Sequence, residues 1–266
     1  MPQSVARAAL AVVAAALIPS CYGTHLAPPR APGAAMYNFD FVGPDGTGHI
    51  SVSAPRSLTL RELVLQTDRA AVVVQDFHEP GDWAHRNYCG AGASQVLLSA
   101  WLPQVPDIES VATAAHLNPG SGQTGANTVA EVNAFLDPVV TPAAGGSWYR
   151  GEHVESLDAV VARIRSDLTS PIALRSFGHG APVMVQTMTR TMPGWNHWNA
   201  THMITIFAFD FSHNDPALNT VSYAETPSPL AGYRGPDFQT ISVEALWVAM
   251  QAYNREAPWD PINVIS

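Results

Sequence analysis

The sequence contains no lysine, and all thirteen of its basic residues are arginine. This absence excludes a Walker-type phosphate loop, a Schiff-base enzyme and a serine–lysine dyad, because each of them depends on a lysine amine. Runs of basic residues are also absent, and the formal net charge is −9 at pH 7. We therefore do not expect nucleic acid or an anionic membrane surface as a partner.

Cysteine is nearly absent as well, since the 266 residues include only Cys21 and Cys89. Before Cys21, Arg7 precedes an apolar run at residues 8–18, and this pattern resembles a secretory signal. The run is too short to span a bilayer after export. We therefore expect a secreted protein in which Cys89 is the one remaining thiol. Exported proteins normally pair their cysteines, so an unpaired thiol suggests reactivity.

Two interpretations of Cys21 remain open. The segment Ile18-Pro19-Ser20-Cys21 is similar to a bacterial lipobox, although its proline departs from the residue usual there. Lipidation of Cys21 would give a lipid-anchored surface protein instead of a freely secreted one. Residues 24–35 contain three prolines and no hydrophobic periodicity, which predicts a linker. We thus assign residues 1–35 to a signal peptide and linker, and residues 36–266 to one domain long enough to bury a single core.

The stretch around Cys89 combines a thiol with the start of a helix. Residues 93–101 carry apolar side chains at helical spacing, and Pro103 ends the pattern. Cys89 lies beside two glycines at the predicted N-terminus, where unpaired backbone N–H groups and the helix dipole favour a thiolate. We interpret Cys89 as a nucleophile, and the alternative is a small buried hydrophobic residue.

Helical and β-type patterns are largely separated along the chain. Helices are predicted at residues 58–66, 95–101, 107–117, 128–136, 157–168 and 243–253. A hairpin with its turn at residues 44–48 is predicted within 37–52, and strands at 70–74, 183–186, 202–209, 220–224 and 238–241. Thr128, Ser156 and Ser242 are the predicted helix caps, Thr128 in a capping box with Glu131. This separation predicts an α+β fold and not an alternating βαβ one.

A thiol nucleophile needs a histidine base. His202 opens the apolar strand at residues 202–209, and a place at the rim of a core strand holds an imidazole firmly while leaving it reachable. His179, between two glycines, is the second candidate, and the alternative for His202 is a surface histidine after a loop. No metal site is expected, because His197 and His202 are five residues apart, which suits neither a helix face nor a strand face.

Two motifs of the chain resemble those of the papain-like cysteine peptidases. They are Asn87-Tyr88-Cys89-Gly90-Ala91-Gly92-Ala93-Ser94 and a histidine strand that ends in Phe207-Ala208-Phe209-Asp210. Among these enzymes, residues 70–250 resemble the bacterial family related to bacteriocin-leader-processing (double-glycine) peptidases, which shows Asn-Trp-Cys-Gly-Pro-Ala-Ser and a histidine strand ending in Gly-Tyr-Asp. The resemblance implies a papain-like two-lobed fold, with Cys89 in a helical lobe and His202 in an antiparallel β lobe.

The resemblance also implies the remaining site residues. Gln75 takes the place of the family's glutamine, which holds the oxyanion together with the Cys89 backbone N–H, although it lies farther from the cysteine than is usual. The acid that orients the histidine falls at the end of the next strand, at Glu225, one methylene longer than the usual aspartate. Asp215, in a predicted turn, is the alternative, while Asp210 ends the histidine's own strand.

These patterns predict a cysteine-type peptidase or amidase, a hydrolase that acts through a thioester on Cys89. We expect a peptide or protein substrate, no cofactor, no membrane span after processing and a monomer. The export signal argues against a leader peptide inside the cell as the substrate. Two alternatives stay open: a transamidase or acyltransferase that passes the acyl group to an amine, and an exported binding module without catalysis.

Overall fold

The computed structural model describes residues 34–43, 46–55, 67–140, 147–196 and 198–266. The predicted signal peptide, Cys21 and the predicted helix at residues 58–66 lie outside these ranges. The first strand begins at Ala34, so the last two residues of the predicted linker belong to a strand. None of the helices in the described ranges has the length and apolar character needed to cross a membrane.

Helices and antiparallel strands together make up the described part of the chain, which confirms the predicted α+β class. The helices are α1 Cys89–Ser99, α2 Ile108–Ala114, α3 Gly125–Leu136, α4 Leu157–Leu168, α5 Pro171–Phe177 and α6 Val243–Glu256. The strands are β1 Ala34–Gly43, β2 Gly46–Pro55, β3 Arg69–Ala71, β4 Gly151–Glu152, β5 Val183–Met188, β6 Thr201–Asp210, β7 Thr220–Ala224, β8 Phe238–Ser242 and β9 Val264–Ile265.

Strands β1 and β2 pair as the predicted hairpin, and the other described strands form one sheet. Its order is β4-β9-β5-β6-β7-β8, with β3 pairing the far end of β6. All strand pairs in this order are antiparallel. Strand β6 therefore lies inside the sheet, which is why its sequence is mostly apolar and does not alternate.

Helices cover β6 on both faces of the sheet. Met203 packs into a cluster with Leu97 and Leu98 of α1, whereas Ile204 packs into a separate cluster with residues of α4 and α6. The Thr205 hydroxyl donates to the carbonyl of Ala93 at 2.7 Å, so a polar side chain in the core is satisfied by the helix it faces. These contacts fix α1, and with it Cys89, against the histidine strand.

The sequence located most elements but misplaced some of their ends. The helix predicted from Thr128 begins at Gly125 and is capped by Thr124, whose side chain accepts the N–H of Asn127. The predicted capping box is therefore wrong, and its Glu131 instead accepts a hydrogen bond from Ser94 at 2.7 Å in the core. The predicted caps Ser156 and Ser242 are confirmed. The strand predicted at residues 70–74 is shorter in the structure, and α5 was not predicted at all.

Candidate active site

Cys89 is the first residue of α1, as its sequence context predicts. The helix opens without a side-chain cap at Tyr88, so the N–H groups of its first turn are not consumed by a capping oxygen. Cys89 is a free cysteine and is partly buried. A helix N-terminus with available N–H groups stabilises negative charge on a thiol or on an oxygen bound next to it.

A cavity of about 250 Å³ opens over this thiol. Cys89 and His202 both line it, so the structure brings the predicted nucleophile and the predicted base to one site. Side chains from several segments complete the wall, among them Glu79, Trp83, Arg86, Gln123, Gln186, Trp195, Trp198, Ser228 and Leu230. The aromatic side chains at its edge are exposed, 68% for Trp83 and 51% for Trp198, and give the mouth of the cavity an apolar surface.

His202 and Glu225 form a buried pair next to this cavity. The Nε2 atom of His202 lies 2.8 Å from the Oε2 atom of Glu225, and the two side chains are only 2% and 0% exposed. The pairing follows from the sheet, because in antiparallel neighbours the start of β6 and the end of β7 meet at one edge. With Nε2 directed at the carboxylate, Nδ1 is the ring nitrogen left for the thiol.

Trp195 completes this arrangement. Its indole N–H donates to the Oε1 atom of Glu225 at 3.0 Å, while its ring stands edge-on to the imidazole of His202 with centroids 4.6 Å apart. The carboxylate of Glu225 is thus held at both oxygens, one by the histidine and one by the indole. The pair is almost fully buried and so shielded from water, which strengthens an electrostatic interaction.

The environment of His202 favours its protonated form. Burial lowers the pKa of the imidazole, but the Glu225 carboxylate and the Cys89 thiol act in the opposite direction and raise the pKa to about 10. An imidazolium at neutral pH stabilises a thiolate beside it and holds the proton that a leaving group needs. The site can therefore supply both a nucleophile and a general acid.

Gln75, the predicted oxyanion residue, is not among the described residues that line the cavity. Residues 72–75 alternate between buried and exposed, with Val72 and Val74 inside and Val73 and Gln75 outside. The backbone N–H of Gln75 donates to the hydroxyl of Ser99 at 2.8 Å. An extended segment whose valines fill the core necessarily turns the intervening side chains to solvent, which is why Gln75 points away from the site.

Two residues next to Cys89 and the His202–Glu225 pair were not singled out from the sequence, Glu79 and Trp195. Glu79 is 5% exposed and lines the cavity ten residues before Cys89. Both lie in loops without periodicity, so no pattern marked them as buried. For Trp195 the sequence did contain a signal. A buried tryptophan close before the histidine strand needs a hydrogen-bond partner for its indole N–H.

The other candidates have structural roles. Asp215 caps a short 3₁₀ turn by accepting the N–H of Ala217, as expected of a turn residue. The Asp210 carboxylate pairs with Arg69 at 3.0 Å. His179 packs its ring against Trp101 and does not line the cavity. Burial lowers the pKa of its imidazole. These positions leave Glu225 as the acid that contacts His202.

Few residues could hold a metal ion in the described part of the chain. The single group of three converging donor atoms there belongs to Asp76, His78 and Asp237, at the surface. His78 Nε2 lies 3.4 Å from Asp237 Oδ1, which is an ordinary exposed ion pair, and we assign no metal to it.

Comparisons with known proteins do not assign a function to this site. No family model, no curated protein and no solved structure matches the chain. Three groups of the site are the basis for a functional assignment: a thiol at a helix start, an imidazole across the same cavity, and a buried carboxylate fixed behind that imidazole.

Proposed function

We propose that the protein is a cysteine-type peptidase or amidase with a papain-like arrangement, a helical part that carries Cys89 and a β part that carries His202. The observation that carries the proposal is the buried His202–Glu225 pair, 2.8 Å apart, at the cavity that also contains Cys89. A nucleophile, a base and an orienting acid are the three groups that covalent acyl transfer requires. Secretion of the enzyme, predicted from its leader-like segment, is part of the same proposal.

The chemistry would proceed in two acyl-transfer steps. The Cys89 thiolate attacks the carbonyl carbon of a peptide or amide, and the carbonyl oxygen becomes an oxyanion near the N–H groups that open α1. His202 gives its proton to the departing amine, and the C–N bond breaks to leave a thioester on Cys89. Neutral His202 then removes a proton from water, which attacks the thioester, and release of the carboxylic acid restores the thiolate and imidazolium.

Glu225 would act through His202 and not on the substrate. A charged imidazolium is costly in a buried site unless a carboxylate compensates it. Glu225 supplies that charge, and its bond to Nε2 fixes the ring so that Nδ1 serves the thiol. The exposed Trp83, Trp198 and Leu230 at the mouth of the cavity favour a substrate that brings apolar side chains to the reacting bond.

Replacement of Cys89 tests the proposal. The full chain is incubated with a peptide library of mixed sequence, and new termini are identified by mass spectrometry. We expect cleavage by the native protein and none by C89A, whose thermal midpoint should stay nearly the same because only one partly buried sulfur atom is removed. A peptidyl epoxide should block cleavage and leave its adduct on Cys89.

In the unprocessed chain, which still contains the leader-like segment, Cys21 is the other cysteine and provides the matched control. The variant C21S should cleave the same peptides as the native protein. An added amine that appears in the products in place of water would identify the transferase alternative. Cleavage that persists in C89A, or a thiol that reacts no faster than a free cysteine, would contradict a cysteine enzyme.

A further inference from the structure

Glu79 is a buried acid that the two acyl-transfer steps above do not use. Among the described residues that line the cavity, it alone carries a carboxyl group, and it is only 5% exposed. Glutamate is seldom buried unless a specific interaction compensates its charge or its proton stays on. Its position at the cavity therefore calls for a chemical explanation.

Two backbone contacts place Glu79 between the nucleophile and the orienting acid. Its Oε2 atom accepts the N–H of Tyr88, the residue before Cys89, at 3.1 Å. Its own N–H donates to the carbonyl of Thr226, the residue after Glu225, at 3.2 Å. The carboxyl group thus lies against the peptide that leads into Cys89, at the start of α1.

The surroundings of Glu79 shift its carboxyl group towards the neutral acid. Burial is the largest effect and raises the pKa of Glu79. The charge of His202 and the N–H groups of Tyr88 and Ser228 lower this pKa, and the nearby Glu225 raises it. The resulting pKa is about 7. Cys89 and Arg86 are the other ionisable groups on the same cavity wall. Oε2 accepts the Tyr88 N–H, and in the protonated carboxyl group the other oxygen, Oε1, would carry the proton and donate it in a hydrogen bond.

On the basis of the proposed function, we propose that Glu79 is an oxyanion-stabilising residue, which donates a hydrogen bond from its protonated carboxyl group to the substrate's carbonyl oxygen as that oxygen becomes negative. It would act beside the backbone N–H of Cys89, and its proton stays on Oε1 throughout. A protonated glutamate offers the same donor at the same reach as a glutamine amide. It would thus fill the role that the sequence suggested for Gln75, which lies outside the cavity. An ionised Glu79 would instead repel the oxyanion.

The first test is the pH dependence of turnover on a peptide that the library identifies as a substrate. Between pH 6 and pH 8 the native kcat/KM should fall about tenfold, since a group with a pKa near 7 changes from about 90% to about 10% protonated. In E79Q this fall should disappear, because an amide donates at every pH. Turnover that rises with pH in the native protein, or a fall that E79Q retains, would overturn the proposal.

Glu131 supplies a matched control for this isosteric change. It is buried away from the cavity against Ser94, and burial raises its pKa to about 8. The variant E131Q should keep the native pH profile. If E131Q abolishes the fall and E79Q does not, the titrating group is Glu131 and the proposal is wrong.

A second variant separates oxyanion stabilisation from a structural role. E79L cannot donate a hydrogen bond, so its kcat/KM at pH 6 should fall by about 10²-fold, the usual effect of removing one oxyanion donor. Alkylation of Cys89 by iodoacetamide forms no oxyanion, and its rate should be retained. An equal loss in both reactions would assign Glu79 to positioning alone and overturn the proposal. If E79L does not fold, the pH profile of E79Q alone tests the role of Glu79. Cleavage by C89A at the native rate would contradict the proposed cysteine enzyme and not the role of Glu79.

Discussion

Two histidines in this protein each contact a carboxylate and an aromatic ring, one histidine in the core and one at the surface. In the core, His202 contacts the carboxylate of Glu225, and Trp195 both stands edge-on to the imidazole and donates to that carboxylate. The aromatic residue thus contacts both members of the pair.

The surface group repeats this arrangement around His85. Its Nε2 atom lies 2.5 Å from Oε1 of Glu109, and Asp82 contacts its other nitrogen at 2.7 Å. Tyr88 stands edge-on to the imidazole with centroids 4.7 Å apart, and its hydroxyl donates to Oε2 of Glu109 at 3.4 Å. Here too one aromatic residue contacts both the histidine and the acid.

The surface group has a second carboxylate, Asp82, and the two groups also differ in exposure to water and in the presence of a thiol. The side chains of His85 and Glu109 are 22% and 58% exposed, against 2% and 0% for His202 and Glu225. The pKa of His85 is also raised, first by Asp82 and then by Glu109, so a raised imidazole pKa does not by itself make a site. Solvent screens the surface group, whereas the buried pair faces a nucleophile across a cavity.

The largest contrast between the two groups should come from removing each histidine. H202A should lower kcat/KM on a library-derived peptide by about 10²- to 10⁴-fold, because it removes the general acid and base of both steps. H85A removes an imidazole of equal size from a screened surface group and should leave turnover unchanged. Steady-state kinetics at pH 7 measures both. An H202A variant that keeps native turnover would contradict a catalytic role for His202.

Removing the charge of each acid should give a smaller contrast. E225Q preserves shape but takes away the carboxylate that raises the pKa of His202, so turnover at neutral pH should fall by about an order of magnitude or more. The protein should still fold, and Cys89 should still be alkylated at high pH. E109Q, the surface counterpart, should behave like the native protein. A fully active E225Q together with an inactive D215N would move the orienting role to Asp215.

Most of the site could be predicted from the sequence because its residues occupy the ends of regular elements. Cys89 begins an apolar helix, His202 lies at the start of an apolar strand, and Glu225 follows the next strand. Element ends are visible in hydrophobic periodicity, and antiparallel pairing then fixes which ends meet. The papain-like resemblance added the order in which these ends should occur.

The residues that sequence reasoning missed depend on the paths of loops. The resemblance gives the oxyanion role to Gln75, yet the alternation of residues 72–75 directs that side chain to solvent. Glu79 reaches the cavity through a segment without periodicity. The need for glycine at position 92 was equally invisible in the sequence. Any Cβ added there would lie 2.9 Å from the side chain of Thr226. Such close approaches are tertiary facts, and no local pattern encodes them.

The smallest contrast should come from the aromatic donors. W195F keeps a ring against His202 but removes the indole N–H from the buried Glu225 carboxylate, so the free energy of unfolding should fall by about 1.5–3 kcal/mol, the range for a hydrogen bond to a charged group. Turnover should decrease only a few-fold, roughly, because the histidine–glutamate bond itself remains. Y88F removes the hydroxyl that donates to Glu109 and keeps the ring beside His85. Water can replace the lost hydrogen bond at the exposed Glu109, so Y88F should lose less stability than W195F. Chemical denaturation of both variants measures the difference. If W195F is as stable as Y88F, the indole does not hold Glu225, and burial alone must keep that carboxylate in line with His202.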